Sequence, residues 1–464
     1  MVAPDDMAAI SEAELVTGYQ VKPSVALLRN VVATLDRAFD ERISARQTVV
    51  DIKLQELDEA KKRGAPEHVA VEEEDKDAPV VRLVRSVLMG AVNAGASDIH
   101  LEPHDPQMRV RYRVDGQLQQ VMTIPQHTES AVVSRIKVMG DMDTTETRRP
   151  QDGNLTIEEN DTRASFRVST IPVVGGEKVV MRVIDEGAKV FTFEALGMPE
   201  RETNIVKDLL DKPHGMIVMT GPTGSGKTTT MYTMISNIDA SLTNISTVED
   251  PVEFKLPGIN QVYADSEHGM GFANALKFLM RQDPDVIMVG EIRDHETAVT
   301  SVQAALTGHL LISTLHTNDA IGAVPRLNDL GLDHFKIAGA LLGVIGQRLL
   351  RGICPECKES CEPNERMIKS LLDDREFEVP ADAQFVRGAG CNKCMGSGYA
   401  GWIPIYEIFA ITPETQKAIE AGLPHSKLRQ QAANDGMVEL AVAGLEQALA
   451  GKTTVEEVYC KLSS

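Results

Sequence analysis

Aromatic residues are scarce in this 464-residue sequence, at 4%, with one tryptophan, seven tyrosines and eleven phenylalanines. Stacking on single-stranded nucleic acid needs a row of exposed aromatic rings, so that scarcity argues against it as a main mode. Positive charge is short too: 47 Lys and Arg stand against 68 Asp and Glu, a net charge of −21. Neutralising a phosphate backbone takes clustered cations, and direct nucleic-acid contact is therefore not expected. Long apolar runs are missing as well. The longest near-continuous one, residues 337–346, falls far short of the roughly 20 residues that span a bilayer. The amino terminus, Met-Val-Ala-Pro-Asp-Asp, has neither a basic nor an apolar stretch, so no secretory signal is expected. These absences suggest a cytoplasmic protein that meets the membrane only through partners. Six cysteines in a reducing compartment are not expected to form a disulfide framework, and four of them fall in two Cys-x-x-Cys pairs.

What is present is ordinary globular composition, 42% hydrophobic and 25% charged, in a chain long enough for about three domains. Residues from about 13 to 62 have helix-like periodicity, and the acidic run at 72–77 reads as a solvated linker. An amphipathic helix begins at Pro79 and ends near Asn93-Ala94-Gly95. Period-two segments follow at 108–114 and 164–169, and a further strand-like segment at 178–184 closes an expected α+β domain over 78–186. From Glu200 to about Arg351 strands alternate with helices, which implies a mainly parallel sheet covered on both faces. The expected divisions are 1–77, 78–186, 187–350, a cysteine-rich 351–405, and a helical 406–464.

The sharpest motif is Gly221-Pro222-Thr223-Gly224-Ser225-Gly226-Lys227-Thr228, directly after the apolar run 216–220. Its backbone N–H groups can wrap phosphates, Lys227 can reach the β/γ oxygens, and the Thr228 hydroxyl can sit on Mg²⁺, so ATP binding is expected. Ligands in open parallel sheets bind beyond the carboxyl ends of the strands. Three more apolar segments end in polar residues suited to that site: 245–248 into Glu249-Asp250, 286–289 into Gly290-Glu291, and 310–315 into His316. Hydrolysis needs one group in the metal shell and another to orient water. We assign Glu291 to the first task and Glu249 to the second, an assignment that could be exchanged. His309 and His316, seven apart, point to opposite faces of an extended chain and make a poor metal pair. A sensor role at the γ-phosphate or a subunit boundary suits them better, and a plain structural role fits His309 equally well.

Arg163, Arg167 and Arg182 lie on strand-like segments, and arginine is the residue that stabilises transferred phosphoryl charge when a neighbouring subunit supplies it. Cys354-Pro355-Glu356-Cys357 and Cys391-Asn392-Lys393-Cys394 offer four thiolates to one tetrahedral Zn²⁺, with a redox pair as the rival reading. The interval between the pairs exceeds the commonest spacing, so an inserted helix is expected to fill it. Cys361 and Cys460 have no evident partner in sequence.

Taken together, the phosphate loop, the stretches 247–253, 281–285 with 290–294, and 307–309 with 316–318 resemble the boxes of the type II secretion and type IV pilus assembly ATPases (GspE/PilB-like). Residues 96–103, 167–170 and 176–178 resemble that family's second amino-terminal domain. The resemblance covers residues from about 78 to the end. It implies a multidomain α/β protein with a RecA-like P-loop ATPase core, a preceding α+β domain, a short helical amino-terminal segment and a tetracysteine zinc insertion. It further implies a cytoplasmic homohexamer with Arg167 and Arg182 near the phosphates, docked on an inner-membrane platform protein. The sequence departs from the family's pattern at Trp402 and Pro404, where arginine and glycine are usual, and is short before residue 78. The expected function is an ATP-driven motor for pilus or pseudopilus assembly; a nucleic-acid translocase and a nucleotide-gated scaffold are the alternatives.

Overall fold

The computed structural model describes residues 79–463 apart from 160–161, 185–190, 267, 373–376, 381–382, 392 and 395. The helical segment and acidic linker expected over 1–77 lie outside the described residues. The chain divides into two compact units, 1–187 and 188–464.

In the first unit, helices α1 (Pro79–Asn93) and α2 (Gln126–Met139) accompany strands β1 (Asp98–Glu102), β2 (Gln107–Val114), β3 (Gln117–Pro125), β4 (Gln151–Glu159), β5 (Thr162–Val173) and β6 (Gly176–Ile184). The strands form one sheet in the order β3-β2-β1-β6-β5-β4, antiparallel throughout. Alternation dictates its faces. Met108, Val110 and Tyr112 of β2 are buried with Leu83, Leu88, Val132 and Ile136 of the helices, while Arg109, Arg111 and Arg113 take the opposite side. Each buried Leu, Ile or Val side chain contributes about 1.5–3 kcal/mol relative to exposure. The result is the α+β arrangement expected from the sequence.

The second unit is built on a seven-stranded sheet. Its strands are β7 (Gly215–Thr220), β8 (Ile245–Glu249), β9 (Asn260–Tyr263), β10 (Val286–Val289), β11 (Leu310–Leu315), β12 (Leu341–Ile353) and β15 (Tyr399–Ala410). Their order is β15-β12-β7-β11-β10-β8-β9, parallel everywhere except the β12–β15 pair. Successive residues of β7 feed two different cores, Met216 and Val218 on one side and Ile217 and Met219 on the other. A sheet buried on both faces reads as continuous hydrophobic sequence, which is why β7 and β11 are apolar or small along their whole length.

Two expected divisions need correcting. The one at 350/351 falls inside β12 and the one at 405/406 inside β15, and these strands pair with each other from Gly343↔Ala410 to Ile353↔Tyr399. The cysteine-rich segment is thus a loop-out between two strands of the same sheet. It holds β13 (Lys358–Cys361), helix α10 (Glu365–Leu372) and β14 (Phe385–Gly388), so a helix does occupy the long interval between the cysteine pairs. Leu371 and Phe385 from the loop-out share a core with Leu350, Ile405, Leu445 and Val458.

Candidate nucleotide and metal sites

The chain leaves β7 at Thr220 and turns through the phosphate loop into helix α5 (Lys227–Ser236). Two glycines are demanded by geometry. Gly221 and Gly226 have φ of 145° and 87°, and a Cβ on them would come within 2.6 Å of the Gln347 carbonyl oxygen and 2.9 Å of Gln347 Nε2 respectively. Lys227 is buried at the start of the helix and donates to the carbonyl oxygens of Gly221 (2.7 Å) and Pro222 (3.0 Å). Burial, and then the neighbouring Arg348 guanidinium, push its pKa down, while Glu291 acts in the other direction. An ammonium group in that balance is ready to exchange carbonyl partners for phosphate oxygens.

The loop opens on a cleft of about 410 Å³ that brings together residues 223–229 with Glu249, Glu291, Arg293 and His316. Three of the four strand ends singled out in the sequence, after β8, β10 and β11, thus meet the fourth. Glu249 is only 3% exposed. Its Oε1 accepts from Thr247 Oγ1 (2.6 Å) and Gln261 Nε2 (3.1 Å), and its Oε2 from the hydroxyl of Tyr232. Glu291 is paired with Arg293 and has His316 Nε2 3.5 Å from its Oε2. Asp294, three residues on, caps helix α7 (His295–Leu306) by accepting from the Thr297 N–H at 2.8 Å, which fixes where this loop ends. With the Thr228 hydroxyl and the Glu291 carboxylate both lining the cleft, the oxygen donor set suits Mg²⁺ beside a nucleotide.

His309 lies elsewhere. It precedes β11, at the amino end of the sheet, where its Nδ1 is 2.9 Å from the Ala304 carbonyl and its own carbonyl accepts from Gly215 N–H. A six-residue strand rising about 3.3 Å per residue separates it from the end that carries His316. Arg167 and Arg182 are partners in register on β5 and β6 of the first unit. Both are exposed; Arg182 Nε bonds to Asp98 Oδ1 at 3.1 Å and Arg163 pairs with Glu158.

Several neighbours of the cleft carry no motif that sequence reading could seize. Tyr232 looks like a core aromatic of α5, and Gln261 like an edge-strand polar residue. Arg348, on β12, donates to the carbonyl oxygens of Asn318 (2.6 Å) and Gln347 (3.1 Å). Gln347 accepts from Thr230 Oγ1 of α5 at 2.8 Å. Only the run of apolar residues around Gln347 and Arg348 hinted that these two polar side chains must be buried with partners.

The four cysteines of the loop-out converge. The sulfurs of Cys354, Cys357, Cys391 and Cys394 lie within 4.8 Å of one another, with 3.9 Å between Cys354 and Cys391, 3.9 Å between Cys357 and Cys394, and 3.7 Å between Cys391 and Cys394. Zn–S bonds of about 2.3 Å at tetrahedral angles place sulfurs about 3.8 Å apart, and the donor set fits that ion. Backbone N–H groups of Gly390, Cys391 and Gly398 point at the sulfurs of Cys357, Cys394 and Cys394, at 3.2–3.3 Å, the usual support for thiolate charge.

Comparison with known proteins decides the family. The family described as Type II/IV secretion system protein matches residues 73–460. The chain belongs to that family. It is 39% identical over 463 residues to the type IV pilus assembly ATPase PilB of Myxococcus xanthus, covering 99% of this chain and 81% of the relative. It is 42% identical over 397 residues to the type II secretion system ATPase E of Vibrio cholerae, covering 85% of this chain and 77% of that one. Among solved structures, the pilus retraction motor PilT with bound ADP superposes with a TM-score of 0.53 at 26% identity, over 80% of this chain and 94% of PilT. The Yersinia pseudotuberculosis ATPase DotB gives a TM-score of 0.63 at 19% identity, over 86% of this chain and 99% of DotB, a likeness of fold. The secretion-ATPase family thereby accounts for the RecA-like core with its preceding α+β unit, and makes ATP the expected nucleotide of the cleft. Among the described residues no helix is long and apolar enough to cross a membrane.

Proposed function

We propose that this chain hydrolyses ATP as a cytoplasmic homohexameric motor that drives assembly of type IV pilus or type II secretion pseudopilus subunits through an inner-membrane platform protein. The observation that carries the reading is the meeting of Lys227, Glu249 and Glu291 in one cleft. Residues 221–228 hold the β and γ phosphates, with Lys227 exchanging its carbonyl partners for phosphate oxygens. Thr228 and Glu291 would hold Mg²⁺, which when bound would neutralise developing phosphate charge. Glu249 accepts a hydrogen bond from the attacking water and aligns it. His316, beside Glu291, senses the γ-phosphate. Arg167 and Arg182, supplied from a neighbouring subunit, stabilise the transition state, a contribution commonly worth about 10³–10⁵ in rate. The four cysteines hold a structural Zn²⁺ that closes the loop-out. His309, held by the Ala304 carbonyl at the amino end of β11, either serves at a subunit boundary or is a plain structural histidine.

Mixing tests the supply of arginine in trans. Arg167→Ala and Glu249→Gln are each expected to form rings that do not turn over. Mixed before assembly, they create interfaces in which an intact Glu249 faces an intact Arg167, and Mg–ATP hydrolysis returns. A mixture no more active than its components overturns the neighbouring-subunit role. Hydrolysis that depends on added DNA overturns the assembly-motor reading in favour of a translocase.

A further inference from the structure

Glu249 is buried and held by three side-chain hydrogen bonds, and their directions carry information. A carboxylate offers about four acceptor positions, two on each oxygen. Oε1 has both occupied, by Thr247 Oγ1 at 2.6 Å and Gln261 Nε2 at 3.1 Å, and Oε2 has one occupied, by the Tyr232 hydroxyl. One position remains, on Oε2, of a side chain that lines the nucleotide cleft.

Tyr232 is itself held in place. Its ring meets Phe191 and Phe254 edge to face, at centroid distances of 5.6 and 6.2 Å. Its oxygen accepts from the Glu253 backbone N–H at 3.2 Å, so its single proton is left for Glu249. Burial, and then the adjacent carboxylate, push the phenol's pKa well up and keep that proton on it. Tyr232 also stands on the same helix as Lys227, five residues further on, so the phosphate cradle and the carboxylate are linked through one rigid element.

We propose that Tyr232 is a positioning residue for ATP hydrolysis: its hydroxyl fixes the direction of Glu249 and leaves a single acceptor position for the attacking water. The proposal rests on the reading of Glu249 as the water-polarising group. Thr247 and Gln261 anchor the other oxygen. In β8 and β9 these two residues stand opposite one another in register, which sets the carboxylate from the sheet side while Tyr232 sets it from the helix side.

Steady-state Mg–ATP hydrolysis by the full chain tests this, with ADP affinity and thermal melting measured on the same samples. A displacement of about 1 Å at a reacting group costs on the order of 10²-fold, so Tyr232→Phe is expected to lower kcat about 10–100-fold. KM and ADP affinity should stay within about twofold, because ground-state binding is untouched. Tyr232→Phe combined with Glu249→Gln should be no slower than Glu249→Gln alone, since residues that act as a unit are not additive. An unchanged kcat in Tyr232→Phe, or a further loss in the double variant, overturns the proposal while leaving Glu249 in its role. Wild-type turnover by Glu249→Gln removes the role of Glu249 and the proposal with it. If Tyr232→Phe melts below the assay temperature, Thr247→Val removes a hydroxyl from the same carboxylate without disturbing the aromatic cluster. It should then show the same loss of kcat at constant KM and the same non-additivity, and additivity there overturns the proposal.

Discussion

Replacing Cys394 with serine removes one of four sulfurs that stand 3.7–3.9 Å from their neighbours, and it removes the acceptor of two backbone N–H groups. A metal held by the four cysteines would join the end of β12, where Cys354 follows Ile353, to the loop that re-enters the sheet at Tyr399. An ion bound only by the folded chain stabilises it by mass action, by about 4 kcal/mol when free zinc is 1,000 times its dissociation constant. For cooperative unfolding of residues 188–464, an entropy of about 2.1 cal/mol/K per residue gives about 0.6 kcal/mol/K. Losing the metal should therefore lower Tm by about 7 °C. Calorimetry on zinc-loaded wild type, chelated wild type and Cys394→Ser, with zinc measured by mass spectrometry, reads this directly. Chelated wild type and the variant should melt together, below the loaded protein, which should carry one zinc per chain. Wild type that purifies without zinc, and forms a Cys391–Cys394 disulfide on mild oxidation, would make the cysteines a redox pair and not a metal site.

The other predictions concern the loop and the first unit. Gly226→Ala places a methyl within 2.9 Å of Gln347 Nε2 at a φ of 87°, and should abolish detectable nucleotide binding in equilibrium titration while the sheet's circular dichroism persists; near-normal affinity would contradict the geometry. Glu102 is held by Arg111 at 2.7 Å and Lys178 at 3.1 Å. Burial favours its neutral form, but these two cations outweigh it and hold the carboxyl below its ordinary range. A depressed carboxyl stabilises the fold above its unfolded pKa and loses that contribution as pH falls through the folded one. Glu102→Gln should thus cost about 1 kcal/mol at pH 7 in denaturant titration, and progressively less below about pH 4; a difference that grows as pH falls would reverse the sign of the argument.

Legibility in the sequence followed the rigidity of the chemistry. Cradling phosphates fixes glycines, a lysine and a hydroxyl at set intervals, so residues 221–228 announce their loop without any fold. Paired cysteines do the same for a metal. Apolar runs such as 216–220 and 310–315 reveal buried parallel strands because both of their faces must avoid water. The divisions at 350/351 and 405/406 went astray for a related reason. They followed the change of composition at the cysteines, whereas the pairing of β12 with β15 is a long-range antiparallel match that no local pattern in either strand announces. Tyr232 was invisible because a buried helical tyrosine has the same local pattern whether it fills the core or donates to a carboxylate, and Gln261 because a polar residue on an edge strand reads as solvated. His309 and His316 look alike in sequence; only the direction of β11 separates the one beside Glu291 from the one at the far edge.

In the proposed function one cleft binds ATP through Lys227 and hydrolyses it through Glu249. Measuring ATP affinity and Mg-dependent turnover together, on wild type, Lys227→Ala and Glu249→Gln at matched oligomer mass, tests it most directly. Lys227→Ala is expected to lose affinity and turnover alike. Glu249→Gln should retain affinity and lose turnover by about 10²–10⁴-fold, the usual worth of a positioned proton acceptor. Undiminished turnover in Glu249→Gln, or tight binding and normal hydrolysis in Lys227→Ala, would contradict it.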